Sequence, residues 1–220
     1  VASLRPYQPG KPVEELKREL GLKNIIKLAS NENPLGCSPY VKQAIADFNE
    51  YARYPDGNAY ILKNKLADKH NVSIEQITIG NGSNEILELI ARAVLTPEHE
   101  VIFSEHAFAV YPLVTQAIGA KCVTCPAKEW GNDLDAMLTL VNDNTRIIFL
   151  ANPNNPTGTW FNHCDFKQFM EQVPDKVIVA LDEAYYEYVA IEDYPEAENL
   201  LKSFANLLIS RTFAKAYGLA

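Results

Sequence analysis

Four short segments of the sequence combine residue types that bind anions or react with carbonyl groups, and each follows an apolar run. The first begins at Gly80 and contains Gly82, Ser83 and Asn84 just before a helical pattern. Glycine lets the backbone approach a ligand, and the free N–H groups at a helix N-terminus favour an anion. The pattern predicts a phosphate site, although a plain glycine-rich turn with a polar N-cap has the same residues.

The second segment contains two Asn–Pro pairs, Asn152-Pro153 and Asn155-Pro156. Proline restricts the backbone on both of its sides, so such a turn is stiff and can aim an amide side chain accurately. Asn155 is therefore a candidate donor to a ligand oxygen. The alternative is a turn with no further role.

The third segment ends an apolar run with Asp182, and Tyr185 follows three residues later. A carboxylate at the end of a buried strand needs a cation or hydrogen-bond donors, because burying it alone is costly. We expect Asp182 to face a cationic ring nitrogen or a metal ion, or else to be the N-cap of a helix. Magnesium is disfavoured, since the sequence has no Walker-type phosphate loop.

The fourth segment places Lys215 among small and apolar residues. A lysine held partly out of water is an effective Schiff-base nucleophile, whereas an ordinary surface lysine is the alternative. Pyridoxal phosphate requires all four features together: a phosphate site, an oriented amide side chain, a carboxylate at a strand end with a tyrosine nearby, and a lysine. The four segments therefore predict a site for this cofactor.

The elements that would position these segments alternate along the chain. Predicted strands are 25–28, 76–79, 101–103, 121–124, 146–150, 177–181 and 207–210. Predicted helices are 13–20, 38–49, 84–95, 110–117, 134–141, 165–172 and 198–205, with another beginning near Lys215. The alternation predicts an α/β fold: a mostly parallel open sheet with helices on both faces. Ligands of such sheets bind outside the carboxyl ends of the strands, where the four segments lie.

Composition narrows the possible partners. A hydrophobic content of 47% allows a packed core, and a net charge of −8 disfavours nucleic acids and anionic membranes. No signal peptide and no membrane-spanning run is visible, so we expect a cytoplasmic protein. Cys122 and Cys125 form a CxxC motif within a predicted strand, where the two thiols point to opposite faces. With no second pair of ligands, no metal site is predicted.

In this order, the segments resemble fold-type I aminotransferases and, within them, the histidinol-phosphate aminotransferases. The resemblance extends from about Arg5 to the last residue, and the motifs that carry it are Ser30–Gly36, Arg53–Gly57, Gly80–Glu85, Asn152–Gly158, Asp182–Tyr185 and Ser210–Leu219. It implies an aspartate-aminotransferase-like large domain over 36–220 that binds pyridoxal phosphate and is incomplete at its C-terminus. Residues 1–35 would be an N-terminal arm on the substrate side, and the C-terminal small domain would be missing.

The resemblance also implies a role for each matching residue. Lys215 would form the Schiff base, Asp182 would pair with the pyridine nitrogen, and Asn155 and Tyr185 would bind the ring hydroxyl. The residues expected at the cofactor phosphate are Gly82, Ser83, Asn84 and Thr212. The remaining expected contacts are Phe108 stacked on the ring, Tyr54 from the neighbouring subunit of a homodimer, and Tyr7 and Asn33 beside the substrate.

The implied reaction is amino transfer between L-histidinol phosphate and 2-oxoglutarate in histidine biosynthesis. Alternatives are an aromatic-amino-acid aminotransferase, a related decarboxylase that handles phosphorylated substrates, and a protein that binds the cofactor without catalysis.

The sequence departs from the family pattern near its end. Ala214 replaces the serine that is typical before the lysine. The arginines expected at the cofactor phosphate and the substrate carboxylate would lie beyond Ala220.

Overall fold

The computed structural model describes residues 10–220, so Tyr7 lies outside the described residues. The α-helices in that range are α1 (Val13–Leu20), α2 (Pro39–Asp47), α3 (Tyr60–His70), α4 (Ser83–Val94), α5 (Val110–Ile118), α6 (Leu134–Leu140), α7 (His163–Gln172) and α8 (Ala197–Leu200). The strands are β1 (Glu100–Ser104), β2 (Lys121–Cys125), β3 (Thr145–Ala151), β4 (Ile178–Asp182) and β5 (Leu207–Ser210). None of the helices described is long and apolar enough to cross a membrane.

The five strands form one sheet in the order β2-β1-β3-β4-β5, and every pair in it is parallel. The predicted parallel α/β sheet is thus confirmed. The chain leaves β1 towards one edge to form β2 and returns past β1 to form β3. This reversal places a crevice at the carboxyl ends of the central strands, the usual ligand position in open α/β sheets.

Both faces of the sheet are buried because alternate side chains of each strand point in opposite directions. In β3, Ile147 and Phe149 join the core on the side of α4 and α5, whereas Ile148 and Leu150 join the core beneath α6, α7 and α8. The central strands are consequently continuous apolar runs. A rigid double-sided core therefore supports the loops at the carboxyl edge.

Local capping fixes where several helices begin. The Asp133 side chain accepts a hydrogen bond from Ala136 N at 3.0 Å at the start of α6. Asn162 accepts one from Asp165 N at 2.8 Å at the start of α7. Each side chain satisfies an N–H group that has no partner within the helix.

Two predicted strands are wrong. Around 76–79, Ser73 and Gln76 form a capping box that closes a short 3-10 turn at Ile74–Gln76. The Ile77 amide then bonds Ile74 O at 3.2 Å instead of a neighbouring strand. Residues 25–28 form no strand, and the side chains of Ile26 and Leu28 are exposed.

Two helix predictions also need correction, and one helix was not predicted. The helix predicted at 198–205 ends at Leu200, after which turns bring Phe204 to the core and lead into β5. The helix expected from Lys215 is absent, because Gly218 has φ +67 and interrupts a helical path. α3 was not predicted, since its apolar residues are spread around the helix and leave no apolar face.

The described part of the chain before α4 contributes little to the core. α1, α2 and α3 contain no buried residue. Large apolar side chains are instead exposed along this region; they include Ile26, Leu28, Leu35, Tyr40, Ile45, Phe48, Tyr51, Tyr54 and Ile61. Such a continuous run of exposed apolar groups is typical of a surface that is covered by another structure.

α4 provides a matched test of the core. Leu87 is 0% exposed, whereas Leu89 on the same helix is 43% exposed. Leu87→Ala should lower the free energy of unfolding by about 2–5 kcal/mol, because it removes packed methyl groups and leaves a cavity. Leu89→Ala should cost less than about 1 kcal/mol. Urea unfolding measures both, and equal losses would contradict the assignment of α4's buried face.

Candidate active site

Three of the predicted segments meet at the carboxyl edge of the sheet. β4 ends at Asp182, and the parallel register places Ser210, the last residue of β5, beside it. The loop that carries Asn155 follows β3, the neighbour of β4 on the other side. The strand order therefore brings together residues that are far apart in sequence.

Asp182 is buried and its carboxylate receives three hydrogen bonds. Tyr111 Oη donates to Oδ2 at 3.0 Å, while Ala184 N and Ser210 Oγ donate to Oδ1 at 3.1 and 3.3 Å. Burial raises the pKa of the Asp182 carboxyl, and these donors together with the charge of Lys215 lower it. A protonated ring nitrogen would supply the adjacent cation that a buried carboxylate needs.

Tyr111 is a contact of this site that the sequence did not reveal. Its ring stacks on Phe149 with centroids 4.8 Å apart, and the side chain is buried. Burial and the neighbouring Asp182 raise the pKa of the Tyr111 hydroxyl well above 10, so it stays protonated as a donor. In the sequence Tyr111 is an apolar position of an amphipathic helix, which does not distinguish a core tyrosine from a tyrosine of the site.

Lys215 and Tyr185 lie close together beneath the chain that precedes α2. Lys215 Nζ is 5.9 Å from the centre of the Tyr185 ring and donates to Ser30 O at 3.4 Å. Tyr185 Oη accepts a hydrogen bond from Asn31 Nδ2 at 2.9 Å. Ser30 and Asn31 were not singled out as site residues, and both have positive φ, which turns this segment towards the lysine.

Asn33 and Gly218 join the same segment to the lysine. Asn33 Nδ2 donates to Ala216 O at 2.8 Å. A Cβ atom at Gly218 would lie 2.6 Å from Gly36 O, so only glycine permits this backbone approach. Asn33 therefore contacts the backbone beside Lys215.

A cleft of about 460 Å³ opens beside Asn31 and Tyr185. Asn155 and Tyr185 both line it, together with Asn31 and Trp160. The turn before Asn155 is fixed by Asn154, whose Nδ2 donates to His106 O at 2.9 Å and to Thr157 Oγ1 at 2.8 Å. Asn155 and Tyr185 can therefore bind one ligand from the same side.

Gly82 precedes α4 with φ +80, and Ser83 is the first residue of the helix. A Cβ at Gly82 would meet no atom within 4 Å, so the turn leaves open space at the N-terminus of the helix. The N–H groups and the dipole of a twelve-residue helix favour an anion there. Thr212, expected at the same phosphate, is buried and accepts a hydrogen bond from Ala214 N at 3.0 Å.

Two predicted site residues stand apart from this group in their contacts. Tyr54 is fully exposed. Phe108 is half-buried in the loop after β1, where its ring meets Tyr111 edge-on with centroids 5.9 Å apart. Phe108 thus touches the tyrosine that binds Asp182, while Tyr54 touches neither the lysine nor the carboxylate among the described contacts.

The described residues contain no cluster of His, Cys, Asp or Glu that could hold a metal ion. Cys122 packs on the α5 side of the sheet and Cys125 on the α6 side, as the strand periodicity predicted. Burial raises the pKa of the Cys125 thiol to about 11 and also raises that of Cys122. Protonated thiols on opposite faces cannot act as a redox pair.

The hydrogen bond from Tyr111 to Asp182 can be tested directly. Tyr111→Phe should raise the pKa of Asp182 further, because it removes a donor that favours the ionised carboxylate. It should also lower the free energy of unfolding by about 1–3 kcal/mol. An NMR titration of the Asp182 carboxyl carbon measures the pKa. Tyr194→Phe, a buried tyrosine on the opposite face, is the control, and an equal titration in both variants would exclude the interaction.

Comparison with known proteins shows similarity to aminotransferases over nearly the whole chain. The family model of aminotransferase class I and II matches residues 23–220. The chain is 57% identical to histidinol-phosphate aminotransferase 2 of Pseudomonas fluorescens over 223 residues and 56% identical to histidinol-phosphate aminotransferase 1 of Idiomarina loihiensis over 221. It aligns in full and spans about 60% of the length of each relative.

A solved structure agrees with the sequence comparison. Histidinol-phosphate aminotransferase from Sinorhizobium meliloti, in complex with pyridoxal-5'-phosphate, superposes with a TM-score of 0.89 at 30% identity. The match covers 99% of this chain and 58% of that one. The chain belongs to the class I and II aminotransferase family.

Proposed function

We propose that the protein containing this chain is a pyridoxal-phosphate-dependent aminotransferase that moves an amino group between L-histidinol phosphate and 2-oxoglutarate. The observation that carries the proposal is the convergence of Asp182, Lys215, Tyr185 and Asn155 at one edge of the sheet. Relatives 56–57% identical that bear the histidinol-phosphate aminotransferase name support the choice of substrate. When bound, the cofactor supplies an electron sink for negative charge that develops on the substrate Cα.

Asp182 keeps the ring nitrogen protonated in this proposal. Its carboxylate is buried, and Tyr111 and Ser210 fix both oxygens on the side away from water. A carboxylate held in this way pairs with a cation far more strongly than a solvated one does. Asp182 thereby maintains the positive charge on which the electron sink depends.

Lys215 would hold the cofactor covalently and would carry the proton at the substrate Cα. The residue is partly buried, its amine lies 5.9 Å from the centre of the Tyr185 ring, and its charge lowers the pKa of Asp182. Asn155 and Tyr185 would orient the cofactor ring through its hydroxyl. Gly82, Ser83 and Asn84 at the N-terminus of α4, together with Thr212, would hold the cofactor phosphate.

The proposed domain division follows the contacts of the N-terminal region. Residues 1–35 form an arm on the substrate side, and 36–220 belong to the large, cofactor-binding domain. Asn31 and Asn33 support this division, because they bind Tyr185 and the backbone beside Lys215. Tyr7 and Asn33 are the arm residues proposed to contact substrate. A cytoplasmic location goes with this assignment.

A homodimer is proposed for the same protein. The exposed apolar side chains before α4 include Phe48, Tyr51 and the fully exposed Tyr54. Phe48 and Tyr51 pack on each other with ring centroids 5.1 Å apart. Burying it against a second copy would bring Tyr54 to the phosphate of the neighbouring cofactor.

The substrate assignment is tested by one half-reaction of the complete polypeptide loaded with pyridoxal phosphate. L-histidinol phosphate, added without a keto acid, should convert the cofactor to its amine form faster than phenylalanine or tyrosine does. Stopped-flow absorbance follows the change. Faster conversion by an aromatic amino acid would overturn the substrate and leave the family unchanged.

Lys215→Ala is the control for this test. It should abolish the absorption band of the lysine-bound cofactor and lower the rate by about a thousandfold or more, since the proton carrier at Cα is lost. Carbon dioxide released without 2-oxoglutarate would indicate a decarboxylase. Cofactor binding without turnover of any donor would leave only a binding role.

Subunit mixing tests the role of Tyr54. Homodimers of Tyr54→Phe or of Lys215→Ala should each have low activity. An equimolar mixture should regain up to about a quarter of native activity, because half of its dimers are mixed and each mixed dimer has one complete site of two. Activity assays after denaturation and co-refolding measure the recovery. No recovery, with mixed dimers detected by native mass spectrometry, would place Tyr54 outside the neighbouring site.

A further inference from the structure

A buried charge cluster lies behind Asp182, on the other face of the same strand ends. Glu183 follows Asp182, and Arg211 follows Ser210. Arg211 Nε and Nη2 both donate to Glu183 Oε2, at 2.9 and 2.7 Å. We call this contact the strand-end ion pair. It contacts neither Asp182 nor Lys215 in the structure, so the proposed chemistry leaves it without a role.

The pair is enclosed by further partners. Glu183 is 0% exposed, and its second oxygen accepts a hydrogen bond from Tyr194 Oη at 3.5 Å. Arg211 Nη1 binds Glu198 at 2.5 Å, and the guanidinium lies 3.7 Å from the centre of the Tyr186 ring. A buried ion pair with this many contacts holds its two backbones in one arrangement. Such pairs contribute little net stability compared with apolar residues, which points to a positioning role.

The backbone of the pair lies directly beneath the active site. Glu183 N donates to Ser210 O at 2.9 Å, which continues the β4–β5 ladder one step past Asp182. Successive side chains alternate across the sheet, so Asp182 and Ser210 face the site while Glu183 and Arg211 face away. Fixing the pair therefore fixes the relative position of the two strand ends.

The residues after Arg211 have few hydrogen bonds among themselves. From 211 to 219, a range we call the lysine segment, the chain forms no helix or strand. Its internal hydrogen bonds join Ala214 N to Thr212 Oγ1, Gly218 N to Lys215 O, and Leu219 N to Phe213 O, at 2.9–3.0 Å. Arg211 is the charged anchor at the point where this segment leaves the sheet.

The last turn of α3 supports the same segment. His70 Nδ1 lies 2.8 Å from Glu198 Oε1, and Glu198 binds Arg211. Lys69 Nζ donates to Tyr217 Oη at 3.0 Å. These contacts hold the lysine segment near both of its ends.

We propose that Glu183 and Arg211 are positioning residues that hold the lysine segment, and with it Thr212 and Lys215, in the geometry that receives the cofactor. The inference rests on the proposed function for the identity of that cofactor. It assigns a task to two charged residues that touch neither the cofactor nor the substrate.

The test uses Glu183→Gln, which keeps the shape and removes the charge, together with Arg211→Met and the milder Arg211→Lys. In the complete polypeptide without cofactor, amide hydrogen exchange at Ala214, Gly218 and Leu219 should accelerate by about tenfold or more in the first two variants. The dissociation constant of pyridoxal phosphate should rise by about tenfold or more. Arg211→Lys should recover part of both effects, because it restores the charge.

Glu100→Gln is the matched control. Glu100 is also buried and bound to a cation, Lys121, at 2.7 Å, but it lies at the amino edge of the sheet. It should change neither the exchange of the lysine segment nor cofactor binding by more than about twofold. Exchange of β3 amides in every variant reports global unfolding separately. Equal effects of Glu100→Gln and Glu183→Gln on the lysine segment would overturn the proposal.

A double variant and the measurement without cofactor complete the test. Glu183→Gln/Arg211→Met leaves neither member of the pair charged; if the pair acts as a unit, its effects should not exceed those of the worse single variant. Additive effects would contradict joint action. If the native protein does not bind pyridoxal phosphate, the proposed function fails, while exchange without cofactor still tests the positioning of the lysine segment.

Discussion

The buried carboxylate at the end of a parallel strand is the group whose hydrogen-bonding needs most constrain this structure. Asp182 is tolerable there only because Tyr111, Ser210 and the backbone of Ala184 donate to it and a cation lies nearby. Those donors come from α5, β5 and the turn after β4, so the register of the sheet and the packing of α5 must both be correct. The core beneath the sheet makes this accuracy possible, since its side chains fill both faces of the central strands.

Sequence reasoning succeeded where a local pattern decided the outcome. Short β-branched and apolar runs predicted the strands from β1 to β5, and the odd spacing of Cys122 and Cys125 predicted that their side chains lie on opposite faces. It failed at 76–79, where a capping box outcompeted strand pairing, and at α3, whose apolar residues define no face. Tyr111 and Asn31 were missed because their roles arise from tertiary contacts between segments that carry no distinctive local signal.

Neighbouring residues at the ends of β4 and β5 lie on opposite faces of the sheet. Asp182 and Ser210 meet the site, while Glu183 and Arg211, their immediate neighbours in sequence, form an enclosed ion pair behind it. A parallel strand with both faces buried makes this division possible, because each residue step reverses the side-chain direction. In a strand with one face in water, the second pair would be solvated and far less able to fix the backbone.

The contact of the arm with the lysine segment has a consequence for the order of assembly. Asn33 binds the Ala216 carbonyl across 183 residues, and Lys215 reaches Ser30 across 185. Closing such long loops is slow, and it gains nothing until the intervening sheet has formed. On a ribosome, residues 30–36 emerge before β5 and Gly218, so they find their binding surface only after those residues have been made. The amine of Lys215 is therefore covered late, after the sheet has formed.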